Sequence, residues 1–159
     1  MTVFYLNIFM ALVWIFLTGE LNLVNFFEGF IVSFIVLFIV RKSLPNDNYF
    51  RKIPKVIGFI GYFLKELIVS NLMLAYDIIT PKDYMTPGIV AIELDAKTDF
   101  EITLLASLIT LTPGTLSIDV SDDRTKLYVH SVYIKNKDVS EFKKSIKNGM
   151  EKKLLEVLR

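Results

Sequence analysis

The sequence predicts a membrane protein in two parts: membrane-embedded helices in residues 1–80 and a small soluble α+β domain in residues 81–159. The membrane part is predicted as a short N-terminal transmembrane helical hairpin followed by a third amphipathic or membrane helix. Charged side chains are nearly absent from residues 1–40, which hold only Glu20 and Glu28, whereas residues 81–159 hold 12 basic and 12 acidic side chains. The stretch Glu101–Val120 changes from a helical to an alternating pattern at Pro113-Gly114, which is typical of a folded domain.

The predicted hairpin consists of two apolar segments, Val3–Leu17 and Leu23–Val40, separated by the polar break Gly19–Asn22. Each uncharged run is shorter than the roughly 20 residues that a comfortable span needs, so we expect a tight hairpin that is short for the bilayer. The first segment lacks the preceding basic residue and the following cleavage site of a signal peptide. Glu28, near the start of the second segment, either reaches the polar membrane surface or serves in partner contact or ion handling, and these interpretations stay open here.

Residues 41–55 hold five basic side chains and one acidic side chain, which predicts a cytoplasmic loop. The third segment, Val56–Thr80, is apolar but carries Lys65, Glu66 and Asn71, which are candidates of the same kind as Glu28. This helix either spans the membrane with its polar stripe against partner helices or lies in the interface with Lys65 and Glu66 facing water. The interfacial placement is favoured slightly, because a full span would carry residues 81–159 away from the cytoplasm.

The second part reads as β-α-β-β-α, a two-layer α+β arrangement. Alternating patterns predict the strands, and 3–4 spacing predicts the last helix, with Asp138 as its N-cap. We expect Asp99 to cap the first helix of this domain, and Leu116, Ile118 and Val120 to share one face of their strand. The predicted elements are strand Ile89–Asp95, helix Phe100–Leu111, strands Thr115–Val120 and Thr125–Ile134, and a helix after Asp138.

The turn between the first helix and the second strand is rich in hydroxyl groups. Such a break serves either as a helix C-cap and turn or as a docking surface for a partner, and both interpretations stay open here. Gly114 is expected to adopt a positive φ, because this conformation is costly for other residues. The candidate residues of this turn are Thr110, Thr112, Pro113, Gly114 and Thr115.

The composition excludes several kinds of site. The chain has no Cys and a single histidine, His130, so thiolate sites and histidine clusters are excluded. No phosphate-binding loop, metal-ligand spacing or catalytic triad is present, so we expect no catalytic, metal or cofactor residues and no enzyme activity. The net charge of +1 gives no reason to expect a nucleic-acid partner.

The block Leu104–Thr115, followed by Ser121–His130, resembles the E subunit of the multisubunit cation/proton antiporters of the Mrp (Mnh or Pha) type. Ala11–Trp14, Glu66-Leu67 with Asn71, and Pro87–Ile89 resemble shorter signposts of the same family, so the resemblance extends over essentially the whole chain.

The resemblance implies an accessory subunit of a Na⁺/H⁺ antiporter of the bacterial inner membrane, needed for assembly, stability and activity in Na⁺ export and alkaline pH homeostasis. Its implied partners are the A, B, C, D, F and G subunits and the lipid bilayer. The alternative is an independent membrane-anchored binding or sensor module with a cytoplasmic α+β domain.

Overall fold

The structure is a computed structural model that describes residues 2–43, 48–80, 85–134 and 138–159. The chain divides into two compact units, Met1–Pro54 and Lys55–Arg159. The predicted boundary at residues 80/81 concerns the surroundings of the chain, membrane or water, and stays a prediction. The boundary between the two compact units lies between Pro54 and Lys55, within the third helix.

The first unit contains a hairpin of two helices, and the prediction that this hairpin spans the membrane stays a prediction. Helix α1 spans Thr2–Thr18 and helix α2 spans Leu23–Ile39, followed by a 3₁₀ turn at Arg41–Ser43. The two helices are antiparallel, because Trp14 near the end of α1 bonds to the start of α2 while Val3 clusters with Leu37 near the end of α2. The guanidinium of Arg41 lies 4.4 Å from the ring centroid of Phe38.

Helix α3 spans Asn48–Ile79, so the predicted start at Val56 is wrong by eight residues. Most of the predicted loop 41–55 is therefore helical where it is described, and the basic residues 51–55 form early turns of α3. The sequence pattern suggested a later start because Pro54 normally breaks a helix, but here the helix continues through it. Pro81, the expected stop signal, lies outside the described residues.

Among the described helices, α3 alone is long and apolar enough to cross a membrane: Tyr49–Ile79 has 31 residues, and its most apolar 18-residue stretch has a mean hydropathy of 1.5. The most apolar part of this stretch is not buried within the molecule, unlike the core helix of a soluble protein. Helices α1 and α2 have 17 residues each.

The second unit contains a three-stranded antiparallel sheet in the order β1-β3-β2, formed by β1 (Gly88–Glu93), β2 (Thr115–Val120) and β3 (Lys126–Ser131). The predicted order of elements and the β2–β3 hairpin are confirmed. Thr86, which lies in the turn predicted before β1, forms an isolated β-bridge with Tyr133.

The register of β2 corrects one prediction. It shifts between Ser117 and Asp119, which leaves Ile118 as the extra residue of a bulge. Leu116 pairs with His130 and Val120 pairs with Leu127, residues on opposite faces of β3. Leu116 and Ile118 are consequently half-exposed while Val120 packs on the core, so the three do not share a face.

Helix α4 spans Asp99–Leu111 and packs on the sheet through Ile102, Leu105 and Ile109. Its N-cap is Thr98 rather than the predicted Asp99. The Thr98 hydroxyl accepts from the Glu101 N–H, and the Glu101 carboxylate accepts from the Thr98 N–H, which forms a capping box.

The chain ends in a helix with a widened centre: α5 (Val139–Ser145), a π-helical stretch (Ile146–Glu151) and α6 (Lys152–Leu158). Asp138 is its N-cap, as predicted. Met150 and Leu154 pack with Val90, Leu127 and Val129 into the core between the sheet and its helices. Rings of α3 pack against the same core: Phe59, Tyr62 and Phe63.

Candidate functional site: a groove beside the Thr-Pro-Gly-Thr turn

The structure brings one predicted polar residue, Glu66, together with the predicted turn 112–115 in one groove of about 230 Å³. One wall is the stripe Tyr62, Glu66 and Ser70 on α3. The floor is the turn 112–115, and the other side is formed by Tyr133 and the start of the C-terminal helix. Glu66 is the single carboxylate among the lining residues, and it is partly exposed.

The threonines of the turn cap the C-terminal end of α4. The Thr115 hydroxyl lies 2.5 Å from the Ile109 carbonyl oxygen and 2.9 Å from that of Thr112, and the Thr112 hydroxyl donates to the Leu108 carbonyl. The Thr110 hydroxyl accepts from the Ser117 N–H at 3.1 Å. Each hydroxyl thus bonds inside the domain and satisfies polar backbone groups around the helix end.

Gly114 completes the turn. Its φ is +87°, which confirms the positive φ expected from the sequence. Its carbonyl accepts from the Val132 N–H at 2.8 Å, and a Cβ placed on it would lie 3.2 Å from the ring of Tyr133. Both the backbone conformation and the neighbouring ring therefore favour glycine here.

The other candidates are scattered. Lys65 is exposed on α3, and the side-chain amide of Asn71 donates to the Leu67 carbonyl of its own helix at 2.8 Å. Glu28 is exposed on α2 in the first unit. Of the four polar candidates, only Glu66 lines the groove.

Sequence reasoning missed two buried carboxylates that hold the loop between β1 and α4. Glu151 is 1% exposed, and its Oε1 accepts from the N–H groups of Asp95 and Ala96 at 2.6 and 2.9 Å. Glu101 accepts from the N–H groups of Lys97 and Thr98 at 2.8 and 3.2 Å. Four successive backbone N–H groups therefore bind the protein's own carboxylates.

The guanidinium of Arg159 closes this arrangement, because it donates to both carboxylate oxygens of Glu101 at 3.1 and 3.2 Å. The bond from Arg159, followed by those from the Lys97 and Thr98 N–H groups, lowers the pKa of Glu101 to about 2. The capping-box pattern Thr98-x-x-Glu101 was the signal that could have revealed Glu101. The sequence did not predict the burial of Glu151, because this residue lies in the π-helical stretch, where the regular helical period does not apply.

A second polar network, also missed, joins the hairpin of the first unit. Asn25 is buried, and its Oδ1 accepts from the Trp14 indole N–H at 2.9 Å. Its Nδ2 donates to the Thr18 hydroxyl and the Glu20 carbonyl. Asn7, fully buried in α1, donates to the Tyr49 hydroxyl at 3.3 Å. These asparagines fix helices rather than form an open site.

Within the described ranges, the face of the sheet opposite the helices is uncovered and largely apolar. Ile89 and Leu116 flank His130 across the three strands, and they are 66% and 49% exposed. Tyr128 and the bulged Ile118 extend this surface. Within the described ranges, no three His, Asp or Glu side chains are grouped so that they could hold a metal ion.

Comparison with known proteins gives one consistent result. Residues 7–157 match the family MNHE, described as a Na⁺/H⁺ ion antiporter subunit. The chain is 40% identical to the E subunit of the Na(+)/H(+) antiporter from Alkalihalophilus pseudofirmus, over 97% of this chain and 96% of the relative. It is 38% identical to the E subunit of the Bacillus subtilis antiporter, with the same coverage.

Two solved structures are similar in fold. A chain of the Mrp complex from Dietzia sp. DQ12-45-1b matches with a TM-score of 0.50 and 27% identity, over 65% of this chain and 96% of that chain. A chain of the membrane-bound sulfane sulfur reductase, an archaeal respiratory membrane complex, matches with a TM-score of 0.54 and 28% identity over 96% of both chains. From the family match over residues 7–157 and these relatives, the chain belongs to the MNHE family of Na⁺/H⁺ antiporter subunits, as the E subunit.

Proposed function

We propose that this chain is an accessory subunit of a multisubunit Na⁺/H⁺ antiporter and acts through assembly with the other subunits, A, B, C, D, F and G. The family match over residues 7–157 carries the proposal. The two bacterial relatives agree with it, because each is an antiporter subunit matched over nearly its full length.

Everted membrane vesicles test the subunit function. Vesicles from a strain that lacks its own antiporters receive the complete subunit set, the set without this chain, or this chain alone. We expect a Na⁺-dependent change in ΔpH with the complete set, and a strongly reduced change without this chain. A robust signal from this chain alone would refute the accessory role.

The proposed topology is multi-pass, with α1 and α2 in the membrane and the α+β domain in the cytoplasm. For α3 we favour the interface over a full span. The Phe59, Tyr62 and Phe63 rings pack on the domain core, and Lys55 donates to the Glu156 carbonyl at 3.2 Å. A helix that lies along the domain in this way keeps the domain on the same side as the basic residues 41–55.

Cysteine labelling tests this topology, because the natural chain contains no Cys. Ser43→Cys leaves all five basic residues of 41–55 in place, and Ser140→Cys reports on the α+β domain. In intact cells an impermeant thiol reagent should label neither position, and both should react after the cells are opened. External labelling of position 43 would contradict the proposed orientation, and external labelling of position 140 alone would indicate a full span by α3.

We further propose that the groove around Glu66 and the uncovered sheet face contact other subunits, with Glu28, Lys65 and Asn71 at membrane-polar positions. Glu66→Gln removes the one carboxylate of the groove, and Glu141→Gln is the matched control on an exposed carboxylate of the same domain that does not line the groove. We expect Glu66→Gln to lower antiport activity or recovery of the complex, and Glu141→Gln to change neither. Equal effects of the two substitutions would contradict the proposal that the groove contacts another subunit.

The likeness to the sulfane sulfur reductase chain supports a second candidate, a subunit of a larger respiratory membrane complex. This candidate differs in its partners, which would include redox subunits. The curated relatives at about 40% identity favour the antiporter.

A further inference from the structure

A second groove of the α+β domain, of about 650 Å³, shares no lining residue with the first, and half of its lining residues are basic. It is formed by the start of the second unit, the loop after β1, and the C-terminal helix. Five of its lining residues are cationic and two are carboxylates, Asp95 and Glu156. The cationic residues are Lys55, Lys97, Lys147, Lys152 and Arg159.

Internal contacts neutralise only part of this positive charge. Lys147 pairs with Asp95 at 3.1 Å, and Arg159 pairs with Glu101 at 3.1 Å. Lys55 donates to a neutral carbonyl. Within the described part of the chain, Lys97 and Lys152 are exposed and neither has a carboxylate within ion-pair distance. Two ammonium groups thus remain available for a bound anion.

The wall that carries Lys97 is fixed in advance. The N–H groups of residues 95–98 bind the carboxylates of Glu151 and Glu101, and Arg159 also donates to the Asp95 carbonyl at 3.2 Å. A loop held by this many internal bonds loses little conformational freedom when a ligand binds to it. The backbone that carries Lys97 is therefore preorganised.

We propose that this groove binds a phosphate-bearing anion, through Lys97 and Lys152 with support from Lys55. Ammonium groups are common ligands of phosphate because they contribute concentrated charge and several N–H donors. An anionic phospholipid headgroup or free phosphate could supply this chemistry. Lys55 lies on α3, so the placement of α3 at the cytoplasmic interface favours the lipid; that choice of source rests on the proposed topology, whereas the anion site does not.

Thermal unfolding of the purified full-length chain in mild detergent tests the site. The probes are phosphatidylglycerol, zwitterionic phosphatidylcholine and inorganic phosphate, since a ligand of the folded state raises the midpoint. Lys97→Gln/Lys152→Gln removes the two available charges, and Lys143→Gln/Lys144→Gln is the matched control on the same helix outside the groove. We expect phosphatidylglycerol to stabilise the wild type and the control, with about tenfold weaker apparent affinity in the groove variant.

The outcomes separate the two sources. Stabilisation by phosphatidylglycerol that the groove variant loses supports a lipid site, and a similar pattern with inorganic phosphate alone supports a site for the free anion. If neither phosphatidylglycerol nor inorganic phosphate raises the unfolding midpoint of the wild type, the proposal is overturned. A response that both double variants keep, or that both lose equally, would also overturn it. None of these outcomes bears on whether the chain is an antiporter subunit.

Discussion

Gly114 is the residue at which helix α4 gives way to strand β2. Gly114→Val would require a β-branched residue at a φ of +87° and place new atoms against the Tyr133 ring. We expect a loss of about 1–3 kcal/mol in the free energy of unfolding. Chemical unfolding of the purified chain measures it. Gly58→Val, where a Cβ has open space in α3, is the control, and equal losses in the two variants would contradict the role of the positive φ.

The Glu101–Arg159 pair predicts a pH dependence in the acid range. The pKa of Glu101 falls from its ordinary 4.5 to about 2 because Arg159 and two N–H groups bind the carboxylate. A carboxylate with a lowered pKa in the folded state stabilises the protein above pH 4.5, and this stabilisation is lost as the pH falls from about 4.5 to about 2.

Unfolding measured between pH 2 and pH 7 tests this effect. Glu101→Gln should be less stable than the wild type at pH 7, and the difference should shrink below pH 4.5. The exposed Glu156→Gln is the control and should follow the wild type. A difference between Glu101→Gln and the wild type that stays constant over the whole range would contradict the assignment.

At the scale of elements, the hairpin α1–α2 depends on close approach at Gly29. A Cβ on Gly29 would lie 2.8 Å from atoms of the Trp14 side chain, whose indole N–H is held by Asn25. Gly29→Val should therefore push Trp14 out of place at a cost of about 1–3 kcal/mol. Trp14 is the single tryptophan of the chain, so its fluorescence reports directly on this position. An unchanged emission spectrum in Gly29→Val, as in the exposed control Ile31→Val, would contradict this packing.

The sequence pattern predicted most elements because each has a clear hydrophobic period and a recognisable start or stop. It missed the two places where one element departs from its own period. The bulge at Ile118 moves Val120 to the core face, and the π-helical stretch turns Glu151 inward beside Met150. Both irregularities depend on tertiary packing, which a local periodicity does not contain.

For the candidate site, residue types in the sequence indicated both Glu66 and the turn 112–115, but nothing local placed them in one groove. Their proximity comes from the packing of α3 against the domain core, which brings together residues that lie far apart in the chain. The same packing explains why the second compact unit begins at Lys55. The charge distribution alone had placed the start of the soluble part at residue 81.

At the scale of the whole molecule, the uncovered sheet face is the surface we assign to an apolar face of another antiporter subunit. Ile89→Lys introduces a charge beside His130 on this face, and Lys is tolerated on an edge strand such as β1. We expect the chain to stay folded but to recover fewer partner subunits on purification. The similarly exposed Phe100→Lys on α4 is the control. Equal recovery of partner subunits with the two variants would contradict the assignment of this face to the interface.

The role as an antiporter subunit is tested by purifying the tagged wild-type chain from native membranes in mild detergent and identifying the proteins that migrate with it. We expect a complex that contains the large polytopic antiporter subunits and supports Na⁺-dependent H⁺ exchange after reconstitution. A chain recovered alone, or only with copies of itself or a regulatory protein, would contradict the claim that it works as an antiporter subunit.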